Sequence, residues 1–125
     1  IALKKMIQLV KKILLELKLH SRIIRLCGGD LGFTSSITYD FEVFSAAQKK
    51  WLEVSSVSNF NNFQAERLKL RYHKKSGLKN LVHTLNGSSL ALPRVIAALL
   101  ENNQTKDGIV IPKTLVPYTG FDLIS

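Results

Sequence analysis

The most constraining feature of the sequence is a polar turn that leads directly into an apolar helix. The turn lies within Asn86–Arg94 and is followed at once by the apolar stretch Val95–Leu100. Proline is tolerated in the first turn of a helix but not in its interior, so Pro93 marks the start of this helix. A helix that is apolar on every side belongs in an interior, so we expect its body to be buried.

Arg94 is the only strong cation of this segment, and it lies in the first turn of the predicted helix. The N-terminus of a helix carries partial positive charge, so a cation there lowers stability unless an anionic or aromatic group contacts it. Guanidinium groups pair with phosphate oxygens and stack on aromatic rings. The segment therefore predicts a strand, a turn and a helix that face a nucleotide.

The length and charge of the chain indicate a single domain with an anionic partner. Its 125 residues, 46% hydrophobic and 22% charged, suffice for one domain with a moderate core. The net charge of +9, from 18 Lys and Arg against 9 Asp and Glu, favours nucleotides, nucleic acid or an anionic membrane surface. The chain begins at Ile1 and enters a helix at once, so we expect a piece of a longer protein.

The residues present exclude several common kinds of site. Cys27 is the only cysteine, which rules out an intrachain disulfide and a zinc site built from several cysteines, and favours a reducing compartment such as the cytoplasm. We expect Cys27 to be a core residue, because no partner base is identifiable. No G-x-S-x-G or H-E-x-x-H pattern supports a serine nucleophile or a catalytic zinc. Lysines throughout the first helix argue against a membrane span or a signal peptide.

The order of the predicted elements indicates an α+β fold, with an antiparallel β-sheet and helices packed on one side. Residues 2–19 have apolar positions at spacings of three and four, which is typical of a surface helix with one buried stripe. We expect strands at 23–27, 38–44, 51–58, 81–86 and 109–112, a turn at 28–32, a short helix or arm at 63–68, and an irregular tail. The second and third strands are close enough in sequence to form a hairpin.

The strand at 38–44 carries two acids on one face. Thr38, Asp40 and Glu42 alternate with apolar residues, as in a strand with one buried face. Two such acids are consistent with a metal site or an acid/base pair. Acids on the solvated face of a strand are more often simply hydrated, so we expect Asp40 and Glu42 to be solvated.

Several segments together resemble one family, the seryl-tRNA synthetases of bacterial type. The similar segments, in the family's order, are 27–33, 38–43, 53–59, 63–65, 83–94, 111–112 and 115–118. The resemblance implies a class II synthetase catalytic domain, an antiparallel sheet flanked by helices. It also implies that residues 1–125 are about the last third of the enzyme, with motif three present at 87–94 and motifs one and two absent.

The same resemblance implies a cytoplasmic, homodimeric enzyme that activates serine with ATP and transfers it to tRNA(Ser). The serine carboxylate attacks the α-phosphorus of ATP, and the terminal ribose hydroxyl of the tRNA then attacks the seryl-adenylate. We expect the chain alone to be inactive, because the other motifs are missing. An alternative is a non-catalytic nucleotide- or RNA-binding module, which the net charge of +9 favours. A third, a basic protein of the membrane surface, rests only on the first helix.

The resemblance also assigns the site residues. It places the ATP-binding segment on four consecutive residues, Glu53, Val54, Ser55 and Ser56. Glu53 and Ser56 would hold the Mg²⁺ that bridges the phosphates, and Arg94, as the catalytic residue, would contact the adenine and the triphosphate. Ser88, with Asn86 near it, would contact the substrate serine.

A regular strand would not bring Glu53 and Ser56 together. Residues alternate between the two faces of a strand, so Glu53 and Ser55 share a face and Ser56 points to the other. A joint metal site therefore requires a bulge or a strand end near Ser55, and we predict that irregularity. We also expect Glu53 and Arg94 to converge on a hollow that can hold an adenosine and a metal.

Overall fold

The protein is a four-stranded antiparallel sheet with two long helices on one face. A computed structural model describes all residues, 1–125. In chain order the elements are α1 (Ala2–Glu16), β1 (Ser21–Arg25), β2 (Ile37–Ser45), β3 (Lys50–Asn59), α2 (Phe63–Arg67), β4 (Arg71–His73), β5 (Lys79–Leu81), β6 (Leu85–Gly87), α3 (Leu92–Asn102), β7 (Ile109–Val110), α4 (Val116–Thr119) and β8 (Leu123–Ile124). The predicted α+β class is confirmed.

The strands form one sheet and two small ribbons. The sheet has the order β1-β2-β3-β6, and all its neighbours are antiparallel, including the predicted β2–β3 hairpin. The pairs β4–β5 and β7–β8 each form a separate two-stranded ribbon. The single strand predicted at 81–86 is wrong, because the chain leaves the first ribbon at Leu81 and enters the sheet only at Leu85. Between them, Thr84 exchanges backbone hydrogen bonds with Phe60 and Asn61.

The hydrophobic core lies between the sheet and both long helices. Apolar residues of α1 and α3 pack against the inner residues of β2 and β3, which confirms the buried stripe predicted for the first helix. The buried residues of this core are Val10, Leu14, Leu17, Leu19, Phe41, Val43, Val54, Val57, Val95 and Ala98. The opposite face of the sheet carries neither α1 nor α3, and we call it the open face.

Burial of α3 on every side was predicted, and this prediction is wrong. Val95 and Ala98 are buried against the sheet, since they lie three residues apart on one side of the helix. The other side is exposed, with Leu92 64%, Ile96 53% and Leu100 37% accessible. A single sheet covers only one side of a helix, so an apolar composition on all sides leaves an uncovered stripe.

The β2–β3 pair contains the predicted irregularity. Phe41 lies opposite Ser55, but the next residue, Glu42, lies opposite Glu53, so Val54 is an extra residue in β3. Both Val54 and Ser55 are buried, as expected where a bulge turns two successive residues toward the same side. The bulge reverses the alternation of β3 between Glu53 and Ser56.

No helix of the structure is both long and apolar enough to cross a bilayer.

Cys27 is exposed, so the prediction of a core cysteine is wrong. It lies beyond the end of β1, in the turn that follows, where its Sγ donates a hydrogen bond to the carboxylate of Asp30 at 3.1 Å.

Candidate functional site

The open face of the sheet brings together polar residues from three strands. Directly opposite residues of an antiparallel pair share a face, and the structure pairs Thr38 with Ser58, Asp40 with Ser56, and Glu42 with Glu53. Thr38, Asp40 and Glu42 alternate along β2 and therefore share a face themselves. Asn86 of β6 lies opposite Ser58 and joins the same row. The candidate site is this row of hydroxyl, carboxylate and amide groups.

Glu53 and Ser56 lie on the same face only because of the bulge at Val54. Glu53 is exposed and Ser56 is half-buried, so both oxygens are available to a ligand. Mg²⁺ prefers oxygen ligands and is commonly held by one or two protein groups together with water and phosphate oxygens. The structure has no cluster of three or more His, Cys, Asp or Glu side chains that could hold a metal alone. The oxygens of Glu53 and Ser56 therefore fit a magnesium ion whose other ligands are water and phosphate oxygens.

Arg94 is joined directly to the strand that carries Glu53. Its Nη1 donates a hydrogen bond of 2.6 Å to the backbone carbonyl of Glu53. A guanidinium has five N–H donors, so this bond leaves most of them for another acceptor. Arg94 is exposed in the first turn of α3, whose N-cap residue, Ala91, makes no side-chain cap. The cation is thus fixed beside Glu53 of β3 with unused donors.

The segment between β6 and α3 is held along β3 by four hydrogen bonds. Ser88 N–H donates to the Ser56 carbonyl at 3.1 Å, and Ser56 N–H donates to Ser88 Oγ at 3.2 Å. Ser55 Oγ donates to the Ser88 carbonyl at 2.6 Å, and Ala91 N–H donates to the Val54 carbonyl at 2.6 Å. The side chains of Val54 and Ser55 are both buried, and the segment is held by the backbone carbonyl of Val54 and the hydroxyl of Ser55.

Gly87 allows the close approach of β6 to the helix above it. A Cβ at this position would lie 2.9 Å from Met6 Cε and 3.1 Å from Val57 Cγ2. Val57 is fully buried, so it has little freedom to move away. The glycine keeps Asn86 and Ser88, its two neighbours, close to β3.

The two acids of β2 have different environments, and the prediction that both are solvated is wrong. Glu42 forms an ion pair with Arg22 of β1. Asp40 is buried, with 8% of its surface accessible, and its Oδ1 has no hydrogen-bond partner. The sequence pattern offered Asp40 and Glu42 as a metal or acid/base pair, but it did not link Asp40 to Ser56. Asp40 lies opposite Ser56 because of the register that the bulge sets between β2 and β3.

The expected hollow around Glu53 and Arg94 is not an enclosed cavity. The structure has two cavities, and neither is lined by Glu53 or Arg94. One, of about 170 Å³, lies between α1 and residues 87–89, and the other, of about 320 Å³, lies between α1 and β1. Arg94 contacts the backbone carbonyl of Glu53, and both residues are exposed at the surface of this chain.

Comparisons with known proteins agree with the resemblance seen in the sequence segments. Residues 2–103 match the family model of the tRNA synthetase class II core domain (G, H, P, S and T). The serine–tRNA ligase of Salinibacter ruber is 60% identical over 107 residues, which are 84% of this chain and 25% of that protein. That of Finegoldia magna is 48% identical over 123 residues, 98% of this chain and 29% of that protein.

Solved structures show the same similarity. The seryl-tRNA synthetase of Pyrococcus horikoshii, crystallised with ATP, superimposes with a TM-score of 0.90 at 38% identity, covering 98% of this chain and 29% of that one. The cytoplasmic serine–tRNA ligase of Naegleria fowleri, in complex with AMP, gives a TM-score of 0.89 at 25% identity, covering 99% and 30%. The chain thus spans between a quarter and a third of the length of these relatives.

Proposed function

This chain belongs to the family of class II tRNA synthetase core domains, and from that premise we propose that it supplies the ATP- and serine-binding part of a serine–tRNA ligase. The curated relatives described above carry that name, and the P. horikoshii neighbour was solved with ATP. The observation that carries the proposal is the bulge at Val54, which places Glu53 and Ser56 on one face with Arg94 bonded to the same strand.

ATP is the first proposed ligand of the open face. Arg94 neutralises phosphate charge with the donors that the Glu53 carbonyl leaves unused, and its planar guanidinium stacks on the adenine. Val54 and Ser55 are buried, so they contribute by holding the 88–91 segment, Val54 through its backbone carbonyl and Ser55 through its hydroxyl. These bonds fix Arg94 relative to Glu53 before a ligand binds, which lowers the entropic cost of binding.

Magnesium is the proposed metal, with Glu53 and Ser56 as its protein ligands. When bound, the ion would neutralise charge on the phosphates of ATP. Glu53 is exposed beside the Arg94 contact, and Ser56 is held through its backbone by Ser88. The protein thus presents one carboxylate and one hydroxyl on a rigid part of the sheet.

Serine is the proposed amino-acid substrate, bound by Ser88 and Asn86. Ser88 Oγ already accepts a hydrogen bond from Ser56 N–H, so its own proton remains available to an oxygen of the substrate. Asn86 is exposed on the open face and offers both a donor and an acceptor. A site that hydrogen-bonds the substrate hydroxyl rejects amino acids that lack one.

The proposed reaction has two steps. The serine carboxylate attacks the α-phosphorus of ATP, and the terminal ribose hydroxyl of tRNA(Ser) then attacks the seryl-adenylate. The residues of this chain act by positioning the reactants and neutralising charge, so no dedicated base is required. A homodimer in the cytoplasm is the proposed state of the full-length enzyme.

The test is serine-dependent exchange of pyrophosphate into ATP. The chain should show no exchange alone, because it spans less than a third of its relatives. A hybrid ligase, in which the 123 matched residues of the F. magna enzyme are replaced by those of this chain, should exchange with serine and not with alanine. A hybrid that folds but does not exchange would refute the proposal. Exchange by the chain alone would show that activity does not require motifs one and two.

The alternative is a non-catalytic module that binds a nucleotide or RNA. The net charge of +9 favours it. A hybrid ligase that binds ATP but does not exchange would support this alternative.

A further inference from the structure

We propose that Asp40 is a positioning residue that orients the hydroxyl of Ser56 toward a bound metal ion. This role rests on the proposed function, because it takes Ser56 as a magnesium ligand. Asp40 itself touches neither the metal nor ATP. It acts by accepting a hydrogen bond from the hydroxyl of Ser56, so that an oxygen lone pair of Ser56 faces the ion.

The first observation is that Asp40 is buried without a partner. Only 8% of its surface is accessible, and its Oδ1 is completely covered and makes no hydrogen bond. Asp40 forms no salt bridge, since the cation diagonally across from it, Arg22, is paired with Glu42. A covered carboxylate oxygen without a donor is rare in folded proteins, because it loses its hydration and gains nothing in return.

The second observation is the pairing of Asp40 with Ser56. Residues directly opposite in an antiparallel pair have Cβ atoms about 4.5–5.5 Å apart. Two residues along the same strands, Thr38 and Ser58 occupy the equivalent positions and share a hydrogen bond of 2.7 Å between their hydroxyls. Asp40 and Ser56 have the same relation but no side-chain hydrogen bond. The acceptor and the hydroxyl are therefore adjacent, and both lack a partner.

A serine hydroxyl that ligates a metal through a lone pair still carries its proton, which needs an acceptor. Groups behind a metal ligand commonly fix its orientation and raise its basicity by accepting a hydrogen bond from it. The other carboxylates of the open face are not free to accept the hydrogen bond of Ser56, because Glu42 is paired with Arg22 and Glu53 is the second metal ligand. Asp40 is the carboxylate that remains.

The first test is the thermal unfolding of this chain without divalent metal. Asp40→Asn removes a buried, unpaired charge at constant shape, so the midpoint should rise by about 4 °C or more. If Asp40 stabilised the fold, Asp40→Asn would lower the midpoint of thermal unfolding, and that result would overturn the inference. Asp107→Asn, an exposed acid in a loop, is the charge-matched control and should leave the midpoint unchanged.

The second test is the affinity of the hybrid ligase for Mn²⁺ in the presence of ATP, followed by the electron paramagnetic resonance of the free ion. Asp40→Asn should weaken Mn²⁺ binding about 10- to 100-fold, as loss of a group behind a metal ligand does. Asp107→Asn should bind Mn²⁺ like the unmodified hybrid. Higher thermal stability together with weaker metal binding is a combination that a structural role does not produce.

The outcomes separate this inference from the proposed function. If Ser56→Ala weakens Mn²⁺ binding and Asp40→Asn does not, the role of Asp40 is refuted and the metal site stands. If neither Glu53→Gln nor Ser56→Ala changes Mn²⁺ binding, the proposed metal site is refuted, and the role of Asp40 with it.

Discussion

Arg94 shows how a single side chain links the start of a helix to a strand. A cation in the first turn of a helix is unfavourable, yet here it is bonded to the carbonyl of Glu53. The sequence predicts that Arg94 needs an anionic or aromatic partner. It does not predict that a backbone carbonyl accepts one of the hydrogen bonds of Arg94. Because a carbonyl carries only partial charge, the site still favours an anion at this position.

Replacement of Arg94 by alanine should slow pyrophosphate exchange in the hybrid ligase by about 100-fold or more, as loss of a charge-stabilising donor does. Arg94→Lys should also lose activity, because an ammonium cannot reproduce the planar, forked donor. The control is Arg71→Ala, an exposed cation on β4. Equal activity of the Arg94→Ala and Arg71→Ala variants would argue against a role for Arg94.

Gly87→Ala should lower the free energy of unfolding of the chain by about 1–2 kcal/mol, because the new Cβ overlaps Met6 and Val57. Denaturation in urea, followed by circular dichroism, measures the change. The matched control is Gly28→Ala, where an added Cβ meets nothing within 4 Å. If both variants unfold at the same urea concentration, the close packing of β6 against α1 is incorrect.

At the scale of elements, the helices and strands with strong periodicity were predictable. The stripe of α1 identified its buried side, and the alternation of β2 and the short connection to β3 identified the hairpin. The bulge was predicted only to the vicinity of Ser55, from the requirement that Glu53 and Ser56 share a face. Its location at Val54 depends on the register between two strands, which no local pattern encodes.

The burial of β2 and α3 was predicted less well, for a physical reason. Alternation shows which residues share a face, but it does not show what covers that face. Asp40 and Glu42 share a face as predicted, yet Asp40 is buried and Glu42 is paired with Arg22. An apolar stripe on α3 likewise does not show that a second layer covers it.

Two neighbouring leucines of α1 test the assignment of its buried side. Leu14 is 1% exposed in the core, and Leu15 is 60% exposed. Leu14→Ala should lower the free energy of unfolding by about 2–5 kcal/mol, because it leaves a cavity in a packed interior. Leu15→Ala should change it by less than about 0.5 kcal/mol. Urea denaturation of both variants decides the matter, and similar losses would show that the helix is rotated.

At the scale of the whole molecule, most of the positive charge lies away from the candidate site. Residues 67–79 contain six Lys and Arg residues and no acid, so most of the net charge of +9 lies on or beside the β4–β5 ribbon. The open face instead carries Asp40, Glu42 and Glu53. The overall charge therefore favours a polyanion at the ribbon and does not indicate the candidate site, whose residues lie in the segments 53–59 and 83–94 that resemble the synthetase family.

The central claim is that Ser56 and Glu53 share the open face as ligands of one magnesium ion. Replacement of Ser56 by cysteine in the hybrid ligase tests it most directly, since Mg²⁺ prefers oxygen whereas softer metals bind thiolates. Pyrophosphate exchange by Ser56→Cys should be weak with Mg²⁺ and should recover when Cd²⁺ is added, while the unmodified hybrid, which retains the exposed Cys27, should gain nothing from Cd²⁺. Full activity of Ser56→Cys with Mg²⁺, or no recovery with Cd²⁺, would contradict the claim.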